Sequence, residues 1–159
     1  MATVANYVAG INPWFCSIGR SLEMWRVELT SEQSSIIKRL IDHFPEQSPD
    51  NLAWQEPFVR ENDALPLYIG WSETTGIKAD GHVILWCTEP GMTFIEDIDK
   101  SLFRASLMDG VNRYPSLAFL RPKRPADAKT CSECLGTGTM PHERLEKMIC
   151  QCGGVGWMD

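Results

Sequence analysis

A chain of 159 residues that is 43% hydrophobic and carries six tryptophans has enough apolar surface for one ordinary core, which excludes a disordered polypeptide. Its 21 acidic against 15 basic side chains give a formal net charge of −6, and binding to a phosphate backbone as the main activity is disfavoured because it needs cations that displace counterions. No stretch approaches the roughly 20 apolar residues that span a bilayer, and no basic segment followed by a long apolar run marks the first residues, so a cytoplasmic location is expected.

Residues 1–20 are punctuated by Gly10, Asn12-Pro13 and Gly19, with Trp14, Phe15 and Ile18 between them. They read as an irregular segment that tucks aromatics into the core. Residues 23–29 alternate with period two, which predicts a half-buried strand with Trp25, Val27 and Leu29 inward. Thr30 then offers a helix cap, and Gln33 completes a capping box. Ile36, Ile37, Leu40, Ile41 and Phe44 recur at helical spacing, so residues 31–44 are expected to form an amphipathic helix that Pro45 ends. His43 falls in its last turn, as a core or capping residue.

Residues 46–64 are polar and turn-rich, with Trp54 and Phe58 as their strong anchors, and read as a long loop. Two apolar runs follow, residues 65–71 and 82–87, separated by Gly76 and the Asp80-Gly81 turn. Because neither alternates cleanly, they are expected to be central strands of one long hairpin. Asp97 or Asp99 can cap a helix carrying Ile98, Leu102, Phe103, Leu107 and Met108, with Gly110 as its stop. Arg113-Tyr114-Pro115 opens a short helical turn over residues 116–120. The expected fold is therefore α+β: a central antiparallel sheet with two or three helices, plus a C-terminal zinc knuckle. The expected division is a globular domain over residues 1–120, a proline-rich linker over 121–129 and the knuckle over 130–159. The linker's Arg121, Lys123, Arg124 and Lys129, stiffened by Pro122 and Pro125, read as a solvated basic strip.

The knuckle carries the clearest chemistry. Cys131 and Cys134, then Cys150 and Cys152, form two close pairs, each followed by glycines at matching offsets. Zinc prefers a tetrahedral shell that four thiolates satisfy, so these cysteines are the candidate ligands of one structural zinc ion. The glycines let the backbone turn its amides toward the sulfurs, and Val155 and Trp157 can pack over the site. A pair of disulfides and a redox-active dithiol are the alternatives, and His142 could replace one thiolate although it reads as a solvated loop residue. Cys16 and Cys87 read as small buried hydrophobes.

Catalytic signatures are missing. The three histidines are far apart in sequence, and no Gly-x-Ser-x-Gly elbow, phosphate-binding glycine loop or His-Glu-x-x-His appears. Acidic pairs such as Glu96-Asp97 read as first-turn helix charges. The expectation is a non-enzymatic protein.

The first cysteine half, Cys-x-x-Cys-x-Gly-x-Gly, resembles the repeat of the zinc region in DnaJ-type co-chaperones, and the second ends in a similar Cys-Gly-Gly-x-Gly-Trp tail. The second pair is Cys-x-Cys, ligands for only one ion are present, and no His-Pro-Asp tripeptide occurs, so the resemblance implies a metal module rather than a co-chaperone. Residues 66–71, Asp80-Gly81, Arg113-Tyr114-Pro115 and 124–128, together with that ending, look like a group of small bacterial proteins that finish in the same knuckle; this likeness carries no activity with it. More loosely, a helix followed by Trp-rich strands and an acidic surface is similar to bacterial immunity proteins of the SUKH superfamily. That likeness implies a protein partner, a cognate toxin or effector domain, with Trp54, Glu56, Glu61, Asp63, Trp71 and Glu73 as candidate contact residues. The second expectation is a zinc-ribbon-type nucleic-acid-binding or regulatory adaptor that uses the knuckle and the basic strip.

Overall fold

The alternating run becomes a strand that lays Trp25 and Val27 into the core, with Leu29 half-buried just beyond its end. The computed structural model of the chain describes residues 4–5, 21–47, 53–69, 73–87, 100–143 and 148–159. Within them a five-stranded antiparallel sheet has the order β1-β2-β5-β4-β3, where β1 is Val4–Ala5, β2 Ser21–Val27, β3 Ala64–Ile69, β4 Glu73–Lys78 and β5 His82–Cys87. With the helices below, this is the expected α+β class.

Helix α1, Ser31–Asp42, starts at the predicted cap: the Gln33 amide donates to Thr30 Oγ1 at 3.2 Å, and the Thr30 amide donates to Gln33 Oε1 at 2.9 Å. Its buried stripe is Ile37, Leu40 and Ile41, and Phe44 follows into the core just before Pro45. His43 is the exposed C-cap residue.

Residues 46–64 are not one long loop. They contain a 3-10 turn, Ala53–Gln55, and helix α2, Glu56–Asn62, which closes on Asp63 in the left-handed region at φ 49°. Pro57 sits in the first turn, where a missing amide costs nothing, and only Phe58 and Val59 are buried, so the apolar signal was too short to show a period.

Residues 73–78 are a strand, β4, and Gly76 lies in its middle rather than in a loop. A Cβ at Gly76 would stand 2.5 Å from Phe58 Cζ and 3.0 Å from Leu65 O, so the glycine is the place where the α2 aromatic ring rests on the sheet. Strands β3 and β5 therefore do not pair with each other; each pairs with β4. β5 is central, but β3 is an edge, where Pro66 needs no amide for the ladder. The Asp80-Gly81 turn forms as expected, with Gly81 at φ 93° and its carbonyl accepting from the Val27 amide at 2.8 Å.

Helix α3, Lys100–Arg113, runs through Gly110 instead of stopping there. A Cβ at Gly110 would lie 2.5 Å from Leu67 Cδ2, so this glycine lets α3 approach β3. Phe103, Leu107 and Val111 face the core, Trp25 stacks against Phe103 at 4.9 Å, and Thr75 of β4 donates to Ser106 at 2.9 Å. Asp97 and Asp99 lie outside the described residues. The predicted turn after Pro115 is a 3-10 segment, Pro115–Leu120, with Leu117 and Leu120 fully buried. Beyond it the described residues form two miniature antiparallel sheets: β6, Lys129–Thr130, pairs with β9, Trp157–Met158, and β7, Thr139–Met140, pairs with β8, Met148–Ile149.

Candidate metal centre

The two cysteine pairs converge on one point. Their four Sγ atoms all lie within 4.8 Å of one another and are buried, with Cys131 facing Cys150 at 3.7 Å and Cys134 facing Cys152 at 3.8 Å. A disulfide needs about 2.05 Å, so these thiols are not bonded in pairs. A tetrahedron with metal–sulfur bonds of about 2.3 Å has edges of about 3.8 Å, close to the 3.7 and 3.8 Å of the two facing pairs. Cys131, Cys134, Cys150 and Cys152 are thus a possible metal site. His142 is exposed and is no part of this thiol group.

The sequence builds the site twice. In each half a glycine amide turns onto the second cysteine: Gly138 donates to Cys134 Sγ at 3.2 Å and Gly156 donates to Cys152 Sγ at 3.3 Å. Each half also bonds to the other, the Cys131 amide to Gly156 O and the Cys150 amide to Gly138 O, both at 3.0 Å. The two small sheets follow the same exchange, so the knuckle has a near two-fold axis through the sulfur cluster. Close contact across that axis explains its glycines. A Cβ at Gly138 would meet Gly154 O at 2.1 Å, and one at Gly156 would meet Gly136 O at 2.3 Å.

Electrostatics favour a cation here. Burial raises the Cys134 thiol, but the amides of Gly138 and Gly136 and the thiols of Cys131 and Cys150 outweigh it and draw it down to about 7. Burial pushes Cys150 up to about 12; the Cys152 amide opposes the rise, and the thiols of Cys131, Cys134 and Cys152 add to it. One thiolate forms readily and then resists the next, a conflict that a divalent cation at the centre removes.

Met140 and Val155 pack against the sulfur cluster, but Trp157 has another role. It is buried, with the Arg104 guanidinium 4.4 Å above its ring, and the same arginine donates to Asp159 at 2.7 Å. Arg104 lies on α3, so Trp157 ties the knuckle to that helix, and it is not one of the residues packed on the sulfur cluster. No period or motif marked Arg104 for this, because the contact joins residues 53 positions apart in the chain.

Among the candidate contact residues, Glu56, Glu61 and Asp63 are exposed on α2 and its C-cap, where Glu56 accepts from Arg60 at 3.2 Å and Asp63 lies 3.6 Å from Lys38. Trp71 and the side chains of Trp54 and Glu73 lie outside the described residues, as do Cys16 and the side chain of Cys87. The strip Arg121, Lys123, Arg124 and Lys129 is exposed. No helix among the described residues is long and apolar enough to cross a membrane. No family model matches the chain, and no match was found among curated proteins or solved structures.

Proposed function

We propose that the chain is a non-enzymatic protein-binding module with one structural zinc ion, and most concretely a cytoplasmic bacterial immunity protein that binds and occludes a toxin or effector domain. The observation that carries the structural role is the donor set itself. Four buried thiols within 4.8 Å of one another are soft ligands that suit zinc, and a shell completed by four thiolates has no position for a reacting water. The metal then shapes the tail, and activity belongs to the surfaces.

Charge supports a surface role. Residues 1–120 carry nine cations against sixteen anions, whereas residues 121–159 carry six against five, so an acidic body ends in a mildly basic module. Such a molecule orients itself against a partner of matching polarity before contact. Elemental analysis is expected to give one zinc per chain, and co-purification with the product of the adjacent gene is expected to give a stoichiometric complex. A chain with well under one equivalent of metal, or one whose deletion leaves cells as fit beside their kin as before, would remove the reading.

The exposed basic strip favours the second reading, a nucleic-acid adaptor. Its discriminator is ionic strength, because counterion release makes such binding strongest at low salt. Undetectable binding to DNA and RNA at low salt would dismiss it.

A further inference from the structure

From Cys134 onward the near two-fold axis gives a knuckle residue a counterpart 18 positions on, Cys134 and Cys152, Gly136 and Gly154, Gly138 and Gly156, whereas Cys131 and Cys150 are 19 apart. Leu135 and Gly153 are therefore counterparts, and both are left-handed, at φ 52° and 75°. Glycine adopts that conformation freely, while a leucine with its Cβ and branched side chain is strained there by roughly 1 kcal/mol or more. The Leu135 side chain gains nothing from the core in return, since it is 79% exposed, the most exposed large hydrophobic residue among those described. The knuckle's own architecture does not require leucine at this point, because the other half meets the same backbone demand with glycine.

Resting on the protein-binding reading above, we infer that Leu135 is the apolar anchor of a docking surface on the knuckle, and that its occupant is a protein segment presenting an apolar pocket bordered by carboxylates. The surroundings supply the charge argument. A Cβ at the neighbouring Gly136 would lie 3.3 Å from Thr130 Cγ2, and Arg124 donates to Thr130 Oγ1 at 3.2 Å, which brings a guanidinium to this edge. In the adjoining β6–β9 sheet Lys129 is directly opposite Met158, which is 41% exposed. Residues 121–130 hold four cations and one anion, Asp127, while the exposed Glu133 beside Leu135 and Asp159 beside Met158, the latter bonded to Arg104, oppose the pattern. An apolar knob with a basic border selects an acidic, apolar counterpart.

The test uses the full zinc-loaded chain as bait for a displayed library of random 16-residue peptides, and measures the affinity of a synthesised winner. Enriched peptides are expected to place aspartate or glutamate beside an apolar residue. Leu135→Gly is expected to weaken the winner at least tenfold while keeping one zinc and an equal or higher melting temperature, since strain has been removed. Lys129→Glu, which leaves Leu135 and all four sulfurs in place, is expected to weaken the same peptide. Winners that bind Leu135→Gly as tightly as the parent would overturn the surface and leave the protein-binding reading standing. Failure to enrich any peptide, together with loss of the adjacent gene product as a partner, would remove both. Leu135-dependent binding to a DNA duplex, an RNA oligonucleotide or phosphatidylserine vesicles, without peptide binding, would also overturn the inference by assigning the surface to another partner class.

Discussion

At Gly138 and Gly156 one methyl group would collide with backbone across the candidate metal site. Each faces a carbonyl of the opposite half at a distance no Cβ tolerates, and neither carbonyl can retreat without moving the loop that holds a sulfur. Gly138→Ala and Gly156→Ala are each expected to weaken metal binding about 10–100-fold with all four thiols intact, as disturbed outer contacts of metal ligands do, measured by competition with a chromophoric chelator. Equal affinity would mean that the two halves do not need their close approach. A second residue-scale effect concerns Asp109 on α3. Burial raises its carboxyl to about 6, against a smaller lowering by Arg113. The folded chain then holds this proton more tightly than the unfolded one, so this group's contribution to stability falls as pH rises from about 4 to about 6. A shift of about two units corresponds to roughly 3 kcal/mol at 1.36 kcal/mol per unit, and partial exposure reduces it. Asp109→Asn is expected to gain about 1–2 kcal/mol at pH 7 and to flatten that slope in denaturant titrations taken at each pH. A variant no more stable at pH 7 than the parent would show that the carboxyl is solvated.

Among the elements, the contrast between α1 and α2 shows what a period can and cannot reveal. α1 has three turns, a two-way cap and a continuous apolar stripe, all readable in residues 30–44. Thr30→Ala is expected to cost about 1 kcal/mol, because it strips the Gln33 amide of its acceptor. α2 has two turns and draws its stability from where Phe58 lands, on the bare backbone of Gly76. Gly76→Ala is expected to destabilise by about 1–3 kcal/mol through overpacking of a fully buried ring, and Phe58→Leu in the same chain should recover part of that loss although it is destabilising alone. Additive losses in the double variant would break the link between the two residues. The same contact explains why β4 escaped the sequence reading. A glycine between two threonines and an isoleucine looks like a loop until the ring above it is known.

Among the described residues there are two hydrophobic groupings: the large core between sheet and helices, and the small sulfur cluster with Met140 and Val155. Arg104, on Trp157 and Asp159, is a polar tie between them. Removing the metal with a chelator is therefore expected to speed amide exchange across residues 129–158 while β2, β4 and β5 stay protected, because binding energy in such knuckles is folding energy. Loss of protection throughout the sheet would show that the knuckle props up the larger core. The cysteine and glycine spacing alone determined which residues gather in the sulfur cluster, because short cysteine pairs bring their sulfurs together whatever the rest of the chain does. Alternation and capping likewise determined β2 and α1, whose signals are local. Strand order, the α2 helix, the role of Gly110 and the docking of Trp157 under Arg104 were decided only in three dimensions, since each depends on a surface supplied by residues distant in the chain.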